Sequence, residues 1–260
     1  MSNMSNTLPS ASESTKIHWF KYASPQLFFP LAGKFIPFFA VAAILLCIAG
    51  FYIGYFYAPT DVQQHDVYRI IYLHVPASLI SMFIYLVMAF WAGLGLVMNT
   101  RLSSMMASAL APTGAMFTFL ALWTGALWGR PTWGAWWVWD ARLTSDLILL
   151  FLYIGFIALQ ASIDDPRRAD RAGAVLALVG VVNVPIIYFS VNWWNTLHQG
   201  SSITLNSEQK VATIMLLGML LMALGFWAYT FAVALTRLRC IVLERERHTD
   251  WVKEYLEKTA

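Results

Sequence analysis

Apolar residues along the 260-residue chain gather into six long runs, near 36–58, 76–98, 105–127, 146–163, 172–191 and 211–236, separated by short polar stretches. An α-helix needs roughly 20 apolar residues to cross a hydrocarbon core about 30 Å thick, and each run approaches that length. Helix is the conformation expected within them, because its backbone hydrogen bonds close inside one segment where no water is available. The pattern predicts an all-α polytopic membrane protein with six transmembrane helices. Residues 1–35 read as an N-terminal segment, 36–236 as the membrane domain and 237–260 as a tail. The Ser-rich first 24 residues lack an apolar signal core. The run after Lys34 is too long to be one, so it reads as a retained anchor helix. Pro76 suits the first turn of the second helix, and Ser145 reads as the N-cap of the fourth. Pro112 and Pro185 mark kinks, and Asn183 calls for an interhelical partner.

Composition sharpens this picture. A chain that is 59% hydrophobic and 12% charged is not a soluble enzyme. With six spans, thirteen of the seventeen Lys and Arg fall on one side, and only Arg69, Arg130, Arg142 and Lys210 on the other. Basic residues gather in cytoplasmic loops, so both termini are expected in the cytoplasm, with loops 59–75, 128–146 and 192–210 outside. The net charge of +3 follows from that bias, and nothing in it indicates a nucleic-acid partner. Cys47, in the first span, and Cys240, on the cytoplasmic side, cannot pair, and no CxxC motif occurs.

The stretch "WGRPTWGAWWVWDARLTSD", Trp128 to Asp146, holds five tryptophans in nineteen residues. If it is helical after Pro131, then Trp133, Trp136, Trp137 and Asp140 share one face. Scattered tryptophans such as Trp19, Trp91 and Trp227 fit an interfacial aromatic belt. Five in one segment, Trp128 and Trp139 included, make a flat shelf suited to a large planar ligand, since offset ring stacking adds roughly 0.5–1.5 kcal/mol per pair. Two other outer stretches, "RIIYLHVP" and "NWWNTLHQG", place His74 and His198 at similar depth. Two imidazoles from separate segments can approach a metalloporphyrin iron from its two faces. Ligating imidazoles must be neutral, so acid is expected to weaken such a site. His65, on the same side, is the competing ligand, while His18 and His248 fall in the cytoplasm. Arg69, Arg130 and Arg142 each adjoin one of these motifs, and guanidinium forks suit carboxylates such as porphyrin propionates. An ion pair of Arg142 with Asp140 or Asp146 accounts for that residue equally well. Asp140 itself could accept an indole N–H, position an Arg or precede a helix start.

The Trp128–Asp146 stretch resembles the WWD motif of the haem-handling superfamily. With "YLHVP" before span two and "WWNTLHQG" after span five, the six-span layout from about residue 25 to 236 resembles the haem exporter C (CcmC) family of bacterial cytochrome c maturation. The resemblance implies that His74 and His198 are axial ligands of haem b and that the WWD segment cradles the porphyrin edge. It implies haem delivery to the periplasmic chaperone CcmE, from the inner membrane, in a complex with the ABC-type subunits CcmA and CcmB and the small membrane protein CcmD. No nucleophile or acid–base pair stands out, so the expected role is delivery rather than catalysis. A membrane cytochrome, a cytochrome c synthase and a solute transporter with structural tryptophans are the rival classes. Cytochromes b usually place paired histidines inside the spans, a synthase calls for more spans or a large external domain, and the spans here hold few ionisable residues to line a solute path.

Overall fold

The computed structural model describes residues 22–194, 196–198 and 212–259. Among them the regular structure is helical, apart from one isolated bridge between Asp61 and His65. Six stretches are long and apolar enough to cross a membrane: Pro25–Tyr57, Asp66–Met98, Arg101–Trp133, Ala141–Ala161, Pro166–Trp193 and Thr213–Arg245. His18, Lys210 and most of the 192–210 loop lie outside the described residues.

Helix α1 spans Pro25–Tyr52 and continues as a π turn over Ile53–Tyr57. It begins eleven residues before the first apolar run, with Ser24 extended at its N-cap and Pro25 in the first turn, where a missing N–H costs nothing. A 3-10 turn, Asp66–Ile70, leads into α2, Ile71–Met98. Pro76 therefore lies inside α2 rather than in its first turn, and Tyr72 O loses its usual helical donor. Helix α3, Arg101–Trp133, runs through Pro112 without interruption, and α4 covers Ala141–Ala161.

Span five is two helices, α5 (Pro166–Gly180) and α6 (Asn183–Trp193), broken at Val181–Val182. Pro185 supplies no N–H to Val181 O, which instead accepts the Val184 N–H at 3.0 Å in a tighter turn. Gly180 is required beside the break, because a Cβ there would lie 2.0 Å from the Tyr85 hydroxyl. The expected partner of Asn183 is Ser145 O, which accepts its Nδ2–H at 2.9 Å.

Helices α2 and α3 form the centre: α2 packs on α3, α5 and α7 (Thr213–Arg245), while α4 bridges α3, α5 and α6. Tyr85, Tyr153, Phe117, Phe156, Met88 and Leu149 are fully buried there. Tyr153 packs over Gly114 and donates its hydroxyl to Ser81 O at 2.7 Å, an example of small residues and side-chain hydrogen bonds joining helices within a membrane. Helix α1 packs chiefly on α7.

The tail is helical. After α7, α8 (Asp250–Thr259) folds back so that Trp251 and Tyr255 meet the Phe29 ring edge-on at 5.7 and 5.0 Å. The start of α1 and the last helix thus share one end of the bundle. Arg245 closes that end with a two-pronged pair to Asp170 at 2.7 and 2.9 Å. Cys47 and Cys240 are both free thiols.

Candidate functional site

At the opposite end of the bundle the chain between α3 and α4 is not a helix. Gly134 adopts φ +79° and donates its N–H to Arg130 O, which ends α3 at Trp133. Residues 135–139 carry no regular structure. Asp140 is the N-cap of α4: its Oδ1 accepts the Leu143 N–H at 2.8 Å. The single helical face of Trp133, Trp136, Trp137 and Asp140 expected from spacing is therefore corrected, the left-handed glycine being its physical cause. Ser145 is not the cap either; inside α4, its hydroxyl donates to Ala141 O.

This geometry divides the tryptophans. Trp128 and Trp133, carried by α3, line a cavity of about 470 Å³ bounded by α2, α3, α4 and α6. Trp136 (57% exposed) and Trp139 (76% exposed) face outward, with Trp137 packed edge-on against Trp139. The indole N–H of Trp137 is buried without a hydrogen-bond partner among the described residues.

His74 and His198 both line the cavity, with ring centres 5.9 Å apart. Each has an indole edge-on at 5.7 Å, Trp128 beside His74 and Trp133 beside His198. His74 Nδ1 lies 2.9 Å from Ala121 O and 3.1 Å from Thr124 Oγ1. A carbonyl only accepts, so Nδ1 carries the proton and Nε2 keeps its lone pair. The His198 loop is tied to the WWD segment: the Thr196 hydroxyl donates to Asp140 Oδ2, and Thr196 Oγ1 accepts the His198 N–H at 3.0 Å. Burial pushes the His198 pKa down to about 4, reinforced by the Arg142 guanidinium and partly offset by Asp140.

Of the three arginines, only Arg142 lines this cavity. Its Nη1 donates to Ile187 O at 2.8 Å and its Nη2 to Ser78 Oγ at 3.2 Å, while Nε lies 3.4 Å from the buried carboxylate of Asp146. Arg69 caps the end of α1 through Gly54 O and Ala58 O and pairs with Asp66. Arg130 is exposed and donates to Gly134 O. His65 is exposed and outside the cavity wall, and His248 is exposed near the tail.

Sequence reasoning missed Gln64. Its Oε1 accepts the Trp128 indole N–H at 2.7 Å, and it lines the cavity where His65 does not. The signal was Asp61, whose Oδ1 accepts the N–H groups of Gln63 and Gln64 at 2.8 and 2.7 Å and so folds the loop back over the bundle. Ser78 and Thr124, single polar residues within apolar runs, carry no sequence signal of their contacts with Arg142 and His74.

The donor set suits a metal that brings its own macrocycle. Among the described residues no three His, Cys, Asp or Glu cluster as a protein-only metal centre would require. Two metal–imidazole bonds of about 2 Å set ring centres roughly 6 Å apart, close to the observed spacing. The apolar stretch Val75, Leu79, Met82 and Leu122 adds wall for a planar ligand.

The chain is similar to known proteins over most of its length. A family model described as "Heme exporter protein C" matches residues 18–253. The protein named "Heme exporter protein C" from Escherichia coli (strain K12) is 47% identical over 236 residues, covering 91% of this chain and 95% of the relative. Proteins of the same name from Bradyrhizobium diazoefficiens and Haemophilus influenzae are 46% and 43% identical, covering 86% and 89% of this chain and 84% and 94% of the relatives. Matched along its membrane helices and both histidine-bearing segments, the chain belongs to the haem exporter protein C family.

Proposed function

We propose that this chain holds haem b in the cavity beside the WWD segment and hands it to the periplasmic chaperone CcmE during c-type cytochrome maturation. The observation that carries the reading is the pair of imidazoles, His74 and His198, in one cavity with ring centres 5.9 Å apart and an edge-on indole beside each. His74 and His198 are the axial ligands, Trp128 and Trp133 bound the ring, and Arg142 offers a guanidinium to a propionate. Trp136, Trp137 and Trp139 present the exposed edge to the chaperone. The Asp140–Thr196 bond keeps the His198 loop in register with that edge. Any covalent attachment draws on the vinyl group's own reactivity and a residue of the chaperone.

Both termini lie in the cytoplasm and the cavity opens on the periplasmic side of the inner membrane, as the distribution of Lys and Arg supports. CcmA, CcmB and CcmD are the expected complex partners. Arg69 and Arg130 shape the loops around the site rather than touching haem.

The test is to purify the chain with and without the chaperone and to measure haem content, haem type and covalent chaperone loading. The proposal predicts a low-spin haem b spectrum and loading that requires the chain. A spectrum unchanged in both His74→Ala and His198→Ala, or abolished by His65→Ala alone, contradicts the ligand assignment.

A further inference from the structure

The break in span five has a consequence at the cavity wall. Before it, α5 packs against both α2 and α4; after it, α6 leans on α4 and barely touches α2. Leu79 of α2 and Tyr188 of α6 stand on the two edges of the resulting gap. Both line the cavity, yet they are 43% and 53% exposed. A side chain that is at once cavity wall and outer surface marks an opening. Leu79 stands 13 residues from Asp66 and Tyr188 five from Trp193, the site-side ends of the spans Asp66–Met98 and Pro166–Trp193, so both lie inside the apolar layer on the site side of its middle.

Packing does not close the gap; a charged bridge from a third helix spans it. The Arg142 guanidinium reaches Ile187 O on one side and Ser78 Oγ on the other, with Asp146 as its counter-ion. Toward the tail end the cavity stops. Beyond Met82 comes the layer of Ile84, Tyr85, Met88, Phe117, Leu149 and Tyr153, each at most 2% exposed. Tyr85 and Tyr153 meet edge-on at 5.1 Å, and Tyr153 is tied to Ser81 O. Among the described residues the cavity has a side opening and no passage to the tail end.

We infer that haem reaches the cavity sideways from the outer half of the membrane, through the opening between α2 and α6, and is not conducted through this chain from the cytoplasmic side. The inference rests on the proposed function and its orientation. A planar apolar ring with two carboxylates lies in a bilayer with the ring in hydrocarbon and the carboxylates near the surface, so it arrives edge-on at this depth. Leu79 and Tyr188 offer apolar flanks to the ring, and Arg142 offers a cation to a carboxylate at the threshold.

The test uses the full chain in vesicles, with Cys47→Ala and Cys240→Ser as background and Leu79→Cys or Tyr188→Cys as the single thiol. Benzyl methanethiosulfonate plugs the opening and dithiothreitol removes the plug. Donor vesicles doped with haem supply the ligand, and growth of the Soret band reports uptake. Plugging at either position is expected to slow uptake about tenfold, an added barrier of about 1.4 kcal/mol, and dithiothreitol to restore it. The same label at Leu86→Cys, exposed on α2 two turns beyond Leu79 and outside the cavity wall, should leave the rate unchanged. Protein filled before plugging should keep its spectrum. Uptake as fast in plugged as in unplugged protein, or filling only from haem enclosed on the tail-end side, overturns the route while the site itself stands. No Soret band in unmodified protein overturns the haem reading as well.

Discussion

The Trp128–Asp146 stretch contains two kinds of residue that share a motif but not a role. Trp128, Trp133, Arg142 and Asp146 are borne by helices and face the cavity. Trp136 and Trp139 sit on the irregular link between those helices and face away. A helix held by packing along its length fixes a side chain well enough to position a ligand, whereas an exposed link offers surface to a partner. The contrast teaches that a cluster of like residues can divide into wall and rim at one left-handed glycine.

The largest expected effect lies on the wall. Arg142→Ala removes the bridge between α2 and α6 and leaves Asp146 buried without its cation, which costs about 3–5 kcal/mol. A thermal-shift measurement in detergent should show the loss, and adding Asp146→Asn should recover much of it. Recovery would fail if the arginine acted only through Ile187 O and Ser78.

Next comes the division itself. Trp133 is half-buried, so Trp133→Ala should cost up to about 3 kcal/mol, no more than the low end for a large aromatic truncated in a core, and it should lower haem occupancy and perturb the spectrum through His198. Trp136→Ala and Trp139→Ala should leave the spectrum intact yet reduce covalent chaperone loading about tenfold, equivalent to about 1.4 kcal/mol. If the rim variants lose haem as the wall variant does, the two halves are one pocket and the comparison breaks.

The effect that leaves the protein at neutral pH untouched is acid sensitivity. His198 has a folded pKa of about 4 against an ordinary 6.5, so between those values the unfolded chain binds more protons than the folded one. Stability is then fully present above about 6.5 and declines as pH falls toward 4, by at most about 1.4 kcal/mol per pH unit for this group. Because the imidazole stays neutral in the folded protein, haem occupancy should hold to about pH 5. Loss of haem already near pH 6.5 would place His198 in contact with water rather than in the wall.

The six spans were legible in the sequence because burial in a membrane requires long apolar runs, and these survive any detail of packing. Their ends were less so: α1 starts well before its run, at Pro25, and α2 starts before Pro76, since Lys34 and His74 interrupt the apolar pattern without interrupting the helix. Spacing alone suggested one helical face across Trp133–Asp140, but it gave no weight to Gly134, whose φ of +79° ends the helix. His74, His198 and the tryptophans were visible as residue types. Gln64 was not, because its place in the wall depends on a fold of loop 61–65 and on meeting Trp128 across 64 residues of chain.

His74 and His198 are proposed to hold one iron between them. The most direct measurement is the visible and electron paramagnetic resonance spectrum of His198→Gly, with and without added imidazole. The expected result is a five-coordinate, high-spin haem that returns to low spin when imidazole occupies the space left beside Trp133. A low-spin spectrum in His198→Gly without imidazole would contradict it.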